Sequence, residues 1–244
     1  MAAPLKRHTF GRMSSITLRR GFLNSVFAPP SAAVHPTLLA VAAACAAALG
    51  GIYAVVVTSQ QPQLDVSIER FIQSLNFGPL AMTFPFISWA GGPGGVYMQA
   101  AALVVVLVLN RRAWLPALAA MAGGFSYFLL VGLAHRPRPT AGVVLRVAEH
   151  PGGWSFPSGH VIFIGLTLGM VMLCVGHRYL PSWARPIGWA AVAAVVLIAG
   201  LSRIYVGAHW PSDVAASLCI AVGWVAAVAS VRWMSDRALY RDAA

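Results

Sequence analysis

Hydrophobic residues run along this chain in long blocks, not at the regular intervals of a soluble amphipathic fold. Pro36–Val57, Phe86–Leu109 and Ala113–Ala134 contain no Lys, Arg, Asp or Glu. An apolar run of about 20 residues predicts a transmembrane helix, because in lipid the backbone must satisfy its own hydrogen bonds. Shorter blocks at Val161–Gly176, Pro186–Ser202 and Val214–Val231 bring the expected number of spans to six. The fold class is therefore all-α, an integral membrane helical bundle. Between the first two blocks the pattern changes: Asp65, Ile68, Phe71, Ile72 and Leu75 recur at helical spacing. That predicts a short amphipathic helix lying on the membrane interface.

Punctuation refines this outline. The cluster Gly91-Gly92-Pro93-Gly94-Gly95 lacks the lysine of a phosphate-cradling loop. It predicts a break or tight packing point at the head of the second span. Trp89, Trp114, Trp154, Trp183, Trp210 and Trp233 fall near predicted span ends, where interface anchoring accounts for them. Residues 1–33 read as a basic cytoplasmic arm, 34–232 as the six-helix domain and 233–244 as a cytoplasmic tail. The Pro36–Val57 run exceeds the core of a signal peptide, so an uncleaved first helix is expected.

Charge orients the bundle. A chain that is 59% hydrophobic carries a formal charge of +11. If both termini are cytoplasmic, only Arg70, Arg136, Arg138, Arg146 and Arg203 of its 17 Lys and Arg lie on the far side. The positive-inside rule selects that orientation. Basic residues in cytoplasmic loops meet lipid head groups, so no nucleic-acid partner is expected. Cys45, Cys174 and Cys219 sit within apolar blocks and imply neither a disulfide framework nor a metal site.

The unusual polar residues then gather on the extracytoplasmic face, in three segments. Ionisable groups at that level are costly and mark a functional site. The first segment, His135-Arg136-Pro137-Arg138-Pro139, stiffens two guanidiniums between prolines, and arginine's fork matches phosphate oxygens. The second, Pro157-Ser158-Gly159-His160, opens the fourth span; Ser158 is a good N-cap, and a helix N-terminus attracts anions. In the third, Ser202-Arg203 precedes His209 and Asp213. Pro211 suits a first helical turn there, and the four-residue step lets the carboxylate orient the imidazole.

These segments resemble the three signature motifs of the type 2 phosphatidic acid phosphatase superfamily, which also includes the vanadium haloperoxidases. The second and third motifs are complete. In the first, Arg138-Pro139 matches, while Val131 stands where the family has a lysine. The resemblance implies a lipid phosphatase with His209 as nucleophile, Asp213 orienting it and His160 as general acid. Arg138, Arg203, Ser158 and the Gly159 N–H would hold the phosphoryl oxygens. Arg136 is a further candidate phosphate ligand, able to replace the charge missing at Val131, with Arg146 as a less constrained substitute. The family uses no metal or other cofactor, and two arginines beside the histidines would repel a cation. The expected partners are the bilayer and a membrane lipid phosphate such as a polyprenyl diphosphate or phosphate, phosphatidylglycerol phosphate or phosphatidic acid. The expected location is a bacterial plasma membrane. A lipid phosphotransferase using the same phosphohistidine, and a non-catalytic phospholipid-binding or transport protein, are the alternatives left open.

Overall fold

In a computed structural model, residues 34–239 are described; the 1–33 arm and the end of the tail, 240–244, lie outside the described residues. Helix α1 is Pro36–Thr58, opened by proline in its first turn, and α2 is Gln63–Ser74. A 3₁₀ segment, Gly78–Thr83, leads into α3 (Phe84–Gly91) and then α4 (Gly95–Leu109). Helices α5 (Trp114–Ala122) and α6 (Phe125–Ala134) form one span from Arg111. Helix α7, Gly159–Val171, continues through a π-turn to Tyr179. Helices α8 (Arg185–Tyr205), α9 (Pro211–Ser230) and α10 (Arg232–Leu239) complete the chain. Among the described residues five helices are long and apolar enough to cross a membrane, or six if the bent α3–α4 pair counts as one.

That bend is the glycine break anticipated from the sequence. The two halves meet at 79°. Backbone groups freed there are recovered locally, Gly94 N–H donating to the Trp89 carbonyl at 2.8 Å and Gly95 N–H to Gly92 at 3.0 Å. The second expected span is thus a bent pair rather than a straight rod.

Helices α7 and α9 form the centre: 56% and 61% of their apolar windows are buried in protein, against 6% for α1. Small residues let them approach. A Cβ on Gly165 would lie 2.7 Å from the Ala221 Cβ, and one on Gly169 would lie 2.8 Å from Val225. At the end holding the termini of the described chain, the His35 N–H donates to the Ser230 carbonyl and Asn110 Nδ2 to the Cys174 carbonyl, each at 2.7 Å. The three polar segments lie at the other end.

Helix α2 is amphipathic as expected, with its faces reversed relative to a soluble helix. Asp65, Glu69 and Gln73 are buried against the bundle, while Leu64, Ile68, Phe71 and Leu75 point outward. An interfacial helix beside a bilayer exposes its apolar stripe to lipid, so the inward stripe is free to carry charge. Trp210 also departs from its expected place. It is fully buried and donates its indole N–H to the Pro137 carbonyl at 2.9 Å, so it braces two segments instead of anchoring an interface.

Candidate active site

The second segment forms the head of α7. Ser158 is the residue before its first turn, and the hydroxyl is buried with no hydrogen-bond partner among the described residues. An orphaned buried hydroxyl is costly. It is placed where the helix N-terminus favours an anion. Gly159 packs on the Tyr127 ring, which a Cβ would approach to 3.1 Å. The His160 ring packs on the glycine break, where a Cβ on Gly91 would come within 2.6 Å of it. Its Nε2 lies 3.2 Å from the Ser88 carbonyl, so the proton sits on Nε2.

His209 lies in the turn between α8 and α9. Gly207 has φ of +72°, and a Cβ there would fall 2.2 Å from the Arg146 carbonyl oxygen, so only glycine lets the turn close on that strand of loop. The His209 Nδ1 is 2.7 Å from the Ser155 carbonyl oxygen. That contact places the proton on Nδ1 and leaves Nε2 as the lone-pair nitrogen. Burial, opposed by Asp213, pushes the His209 pKa below its ordinary value, favouring the neutral ring. The two imidazole centroids stand 6.4 Å apart.

Asp213 acts on His209 at one remove. Its Oδ2 is 3.7 Å from Nδ1, beyond hydrogen-bond reach. The same oxygen accepts from the Trp210 N–H at 2.8 Å and from the Ser155 hydroxyl, and it is the Ser155 carbonyl that accepts the hydrogen bond from the imidazole Nδ1–H.

The two arginines of the first segment diverge. Arg138 donates to the carbonyls of Ala208 at 2.7 Å and Trp154 at 2.9 Å, and its Nη1 lies 3.3 Å from His209 Nε2. Arg136 turns inward. It is fully buried, with Nη1 on Asp213 and Nη2 on Asp65, both at 2.6 Å, and Nε on the Gln60 carbonyl at 2.9 Å. With these donors engaged it holds the carboxylates rather than reaching for a phosphate. Arg146 stacks over Tyr205 at 4.1 Å.

Arg203, at the end of α8, is also fully buried. Its Nη1 meets Glu149 Oε2 at 2.8 Å and its Nη2 meets the Ser88 Oγ at 2.5 Å. The Ser88 hydroxyl in turn donates to Glu149 Oε1 at 2.5 Å.

The structure thus brings His160, His209, Asp213, Arg138, Arg203, Ser158 and Gly159 to one end of the bundle. It adds Ser88, Glu149, Ser155, Asp65 and Ser212, which sequence reasoning did not assign to the site. One signal was available: the chain has only 6 Asp and Glu residues, and Asp65, Glu69, Glu149 and Asp213 are four of them. Carboxylates this scarce, in segments facing five arginines, are candidate counter-charges.

Residues 35–237 match the PAP2 superfamily. The chain belongs to that family. A relative, the undecaprenyl-diphosphatase BcrC of Bacillus subtilis (strain 168), is 34% identical over 103 residues, 42% of this chain and 48% of that protein. The chain therefore matches about half of that relative's length. A transmembrane PAP2 type phosphatidylglycerolphosphate phosphatase from Bacillus subtilis superposes with a TM-score of 0.65 at 18% identity, covering 77% of this chain and 93% of the other. LpxE from Aquifex aeolicus gives a TM-score of 0.51 at 22% identity, over 67% and 94%. At such identities the likeness establishes a shared PAP2 fold.

Proposed function

We propose that this PAP2 chain is an integral membrane phosphatase, removing a phosphate or diphosphate group from a lipid through a phosphohistidine. One observation carries the reading: His209 is held by the Ser155 carbonyl with Nε2 as its lone-pair nitrogen, and the second imidazole stands 6.4 Å away. The unpartnered Ser158 hydroxyl heads the helix that bears that second ring.

The chemistry follows from those placements. The His209 Nε2 attacks phosphorus, and the bond from phosphorus to the leaving oxygen breaks. His160 gives that oxygen a proton. Water then attacks the phosphohistidine, the N–P bond breaks, and the water's proton returns to His160. Arg138, Arg203, the Ser158 hydroxyl and the first N–H groups of α7 hold the phosphoryl oxygens. Arg136 and Ser155 are positioning residues, acting through Asp213 and His209. No metal is required by this scheme.

The substrate keeps its hydrocarbon chain in the bilayer and presents its phosphate to the polar end of the bundle. A polyprenyl diphosphate or phosphate is the favoured class, supported by the likeness to an undecaprenyl-diphosphatase. The site is assigned to the extracytoplasmic leaflet of a bacterial plasma membrane. Support comes from Arg111, Arg112, Arg178, Arg185 and Arg232, which lie toward the opposite end, as the positive-inside rule expects of a cytoplasmic face.

Phosphate release by the purified full chain from a panel of lipid phosphates and diphosphates tests the proposal. Turnover should survive a chelator and fall to background in His209→Ala. Turnover that persists in His209→Ala, or a folded protein inactive on the whole panel, would overturn it. An added acceptor lipid that captures the phosphoryl group would identify a transferase.

A further inference from the structure

Arg203 is fully buried while the Glu149 side chain that pairs with it is 34% exposed. The two partners of this ion pair are therefore not equivalent. A buried guanidinium without an anion is strongly unfavourable, so Arg203 requires a negative group at all times. Glu149 is on a loop and can rehydrate its carboxylate by turning outward; Arg203, at the end of α8, has no such freedom. Two oxygens of one carboxylate, one on Arg203 Nη1 and one on the Ser88 hydroxyl, occupy the arrangement that two phosphoryl oxygens would take. Ser88 accepts from Arg203 Nη2 and has one proton to give, for which Glu149 Oε1 at 2.5 Å is the nearer acceptor and the Phe84 carbonyl at 3.0 Å the farther. Once the carboxylate leaves, that proton is available to a phosphoryl oxygen.

We propose that Glu149 is a specificity residue, a displaceable carboxylate standing in the phosphoryl place on Arg203, and that Ser88 passes from it to the incoming phosphate. The inference rests on Arg203 being a phosphate ligand, as proposed above. Its consequence is a charge threshold. A site opening into a bilayer is surrounded by phosphodiester head groups, each with at most one negative charge on phosphorus. A carboxylate already holding Arg203 competes well with a monoanion and poorly with the dianion of a phosphate monoester or with a diphosphate. Discrimination comes from this competition as much as from contacts to the correct ligand. The hydrogen bond from His160 Nε2 to the Ser88 carbonyl places the same residue against the general acid.

The test uses the purified full chain in mixed micelles, with phosphatidic acid as substrate and two inhibitors, phosphatidylglycerol as a monoanionic phosphodiester and inorganic phosphate. Glu149→Gln keeps the shape and removes the charge. Its inhibition constant for phosphatidylglycerol should fall about tenfold, the scale of one charge-assisted hydrogen bond, with a smaller fall for inorganic phosphate. Unchanged or higher inhibition constants in the folded variant would overturn the proposal. Ser88→Ala tests the other half and does not depend on Glu149→Gln folding. Its KM for phosphatidic acid should rise several-fold, by more than kcat falls, whereas an unaltered KM would contradict the exchange. Arg203→Ala separates the two levels. An active Arg203→Ala enzyme would break the reading of Arg203 as a phosphate ligand. An inactive one, together with unaltered inhibition in Glu149→Gln, would sink this inference alone.

Discussion

Two arginine–carboxylate clusters lie at the polar end of the bundle, and they differ in enclosure. Asp65, Arg136 and Asp213 are all buried, and the Arg136 guanidinium is braced further by Ser212 at 2.7 Å and by the Trp210 ring at 5.5 Å. Arg203 and Glu149 form the second cluster, whose acid is open to water on one side. Similar charges at similar distances thus serve different ends. An enclosed pair has nothing to exchange with, so it behaves as framework, fixing Asp213 and through Ser155 the face of His209. A half-open pair can trade its carboxylate for another anion, which is why we propose it for the substrate.

Substitutions can break this contrast in order of size. Arg203→Ala should lower phosphate release a hundred- to a thousandfold, on the order expected for losing a charge that stabilises the transition state. Its effect on stability should be small, since the orphaned Glu149 can rehydrate. Arg136→Ala should do the reverse in emphasis, destabilising by roughly 3 to 5 kcal/mol by stranding two buried carboxylates. Thermal unfolding in detergent, read beside phosphate release, distinguishes the pair. Equal losses of stability in both variants would erase the distinction.

A smaller effect sharpens the enclosed side. Glu69 lies beside that cluster on the inward stripe of α2, with Oε1 accepting from Gln73 at 3.3 Å. Burial, reinforced by Asp213 and Asp65, pushes its pKa up to about 9 from 4.5. Between those values the folded chain keeps a proton that the unfolded chain releases, so stability falls as pH rises through the window. Glu69→Gln removes that dependence. The gap in unfolding free energy between variant and wild type should shift in favour of the variant by at most about 1.4 kcal/mol per pH unit. A constant gap would show that Glu69 is ionised in the fold. For His209, proposed as the nucleophile, the shift runs the other way: its lowered pKa keeps the ring neutral at neutral pH. The acid limb of kcat/KM should therefore lie below the ordinary histidine range, and a limb at or above that range would contradict the assignment.

These contrasts show what the sequence can carry. Long apolar blocks are legible because lipid leaves the backbone few alternatives, and five helices and the bent pair lie where those blocks predicted. The glycine cluster announced a break in the second span, though nothing in it specified 79°. The histidines, Arg203 and Asp213 stood out because polar residues are rare here. Helix α2 was half legible: its period was plain, but a polar stripe normally faces water, and here it faces Arg136. The direction of Arg136 is set by Asp65, 71 positions earlier, and by Asp213, 77 positions later. No local pattern holds that information. Ser88 hides inside an apolar block, and Glu149 and Ser155 lie in a loop without periodicity.

The central claim is that His209 becomes covalently phosphorylated, and trapping that species tests it most directly. Enzyme turning over a lipid labelled in its phosphoryl group would be quenched in alkali, digested and mapped. The account expects acid-labile phosphate on His209 Nε2 and none in His209→Ala. Label on another residue, or full turnover with no phosphoenzyme and an active His209→Ala variant, would contradict it.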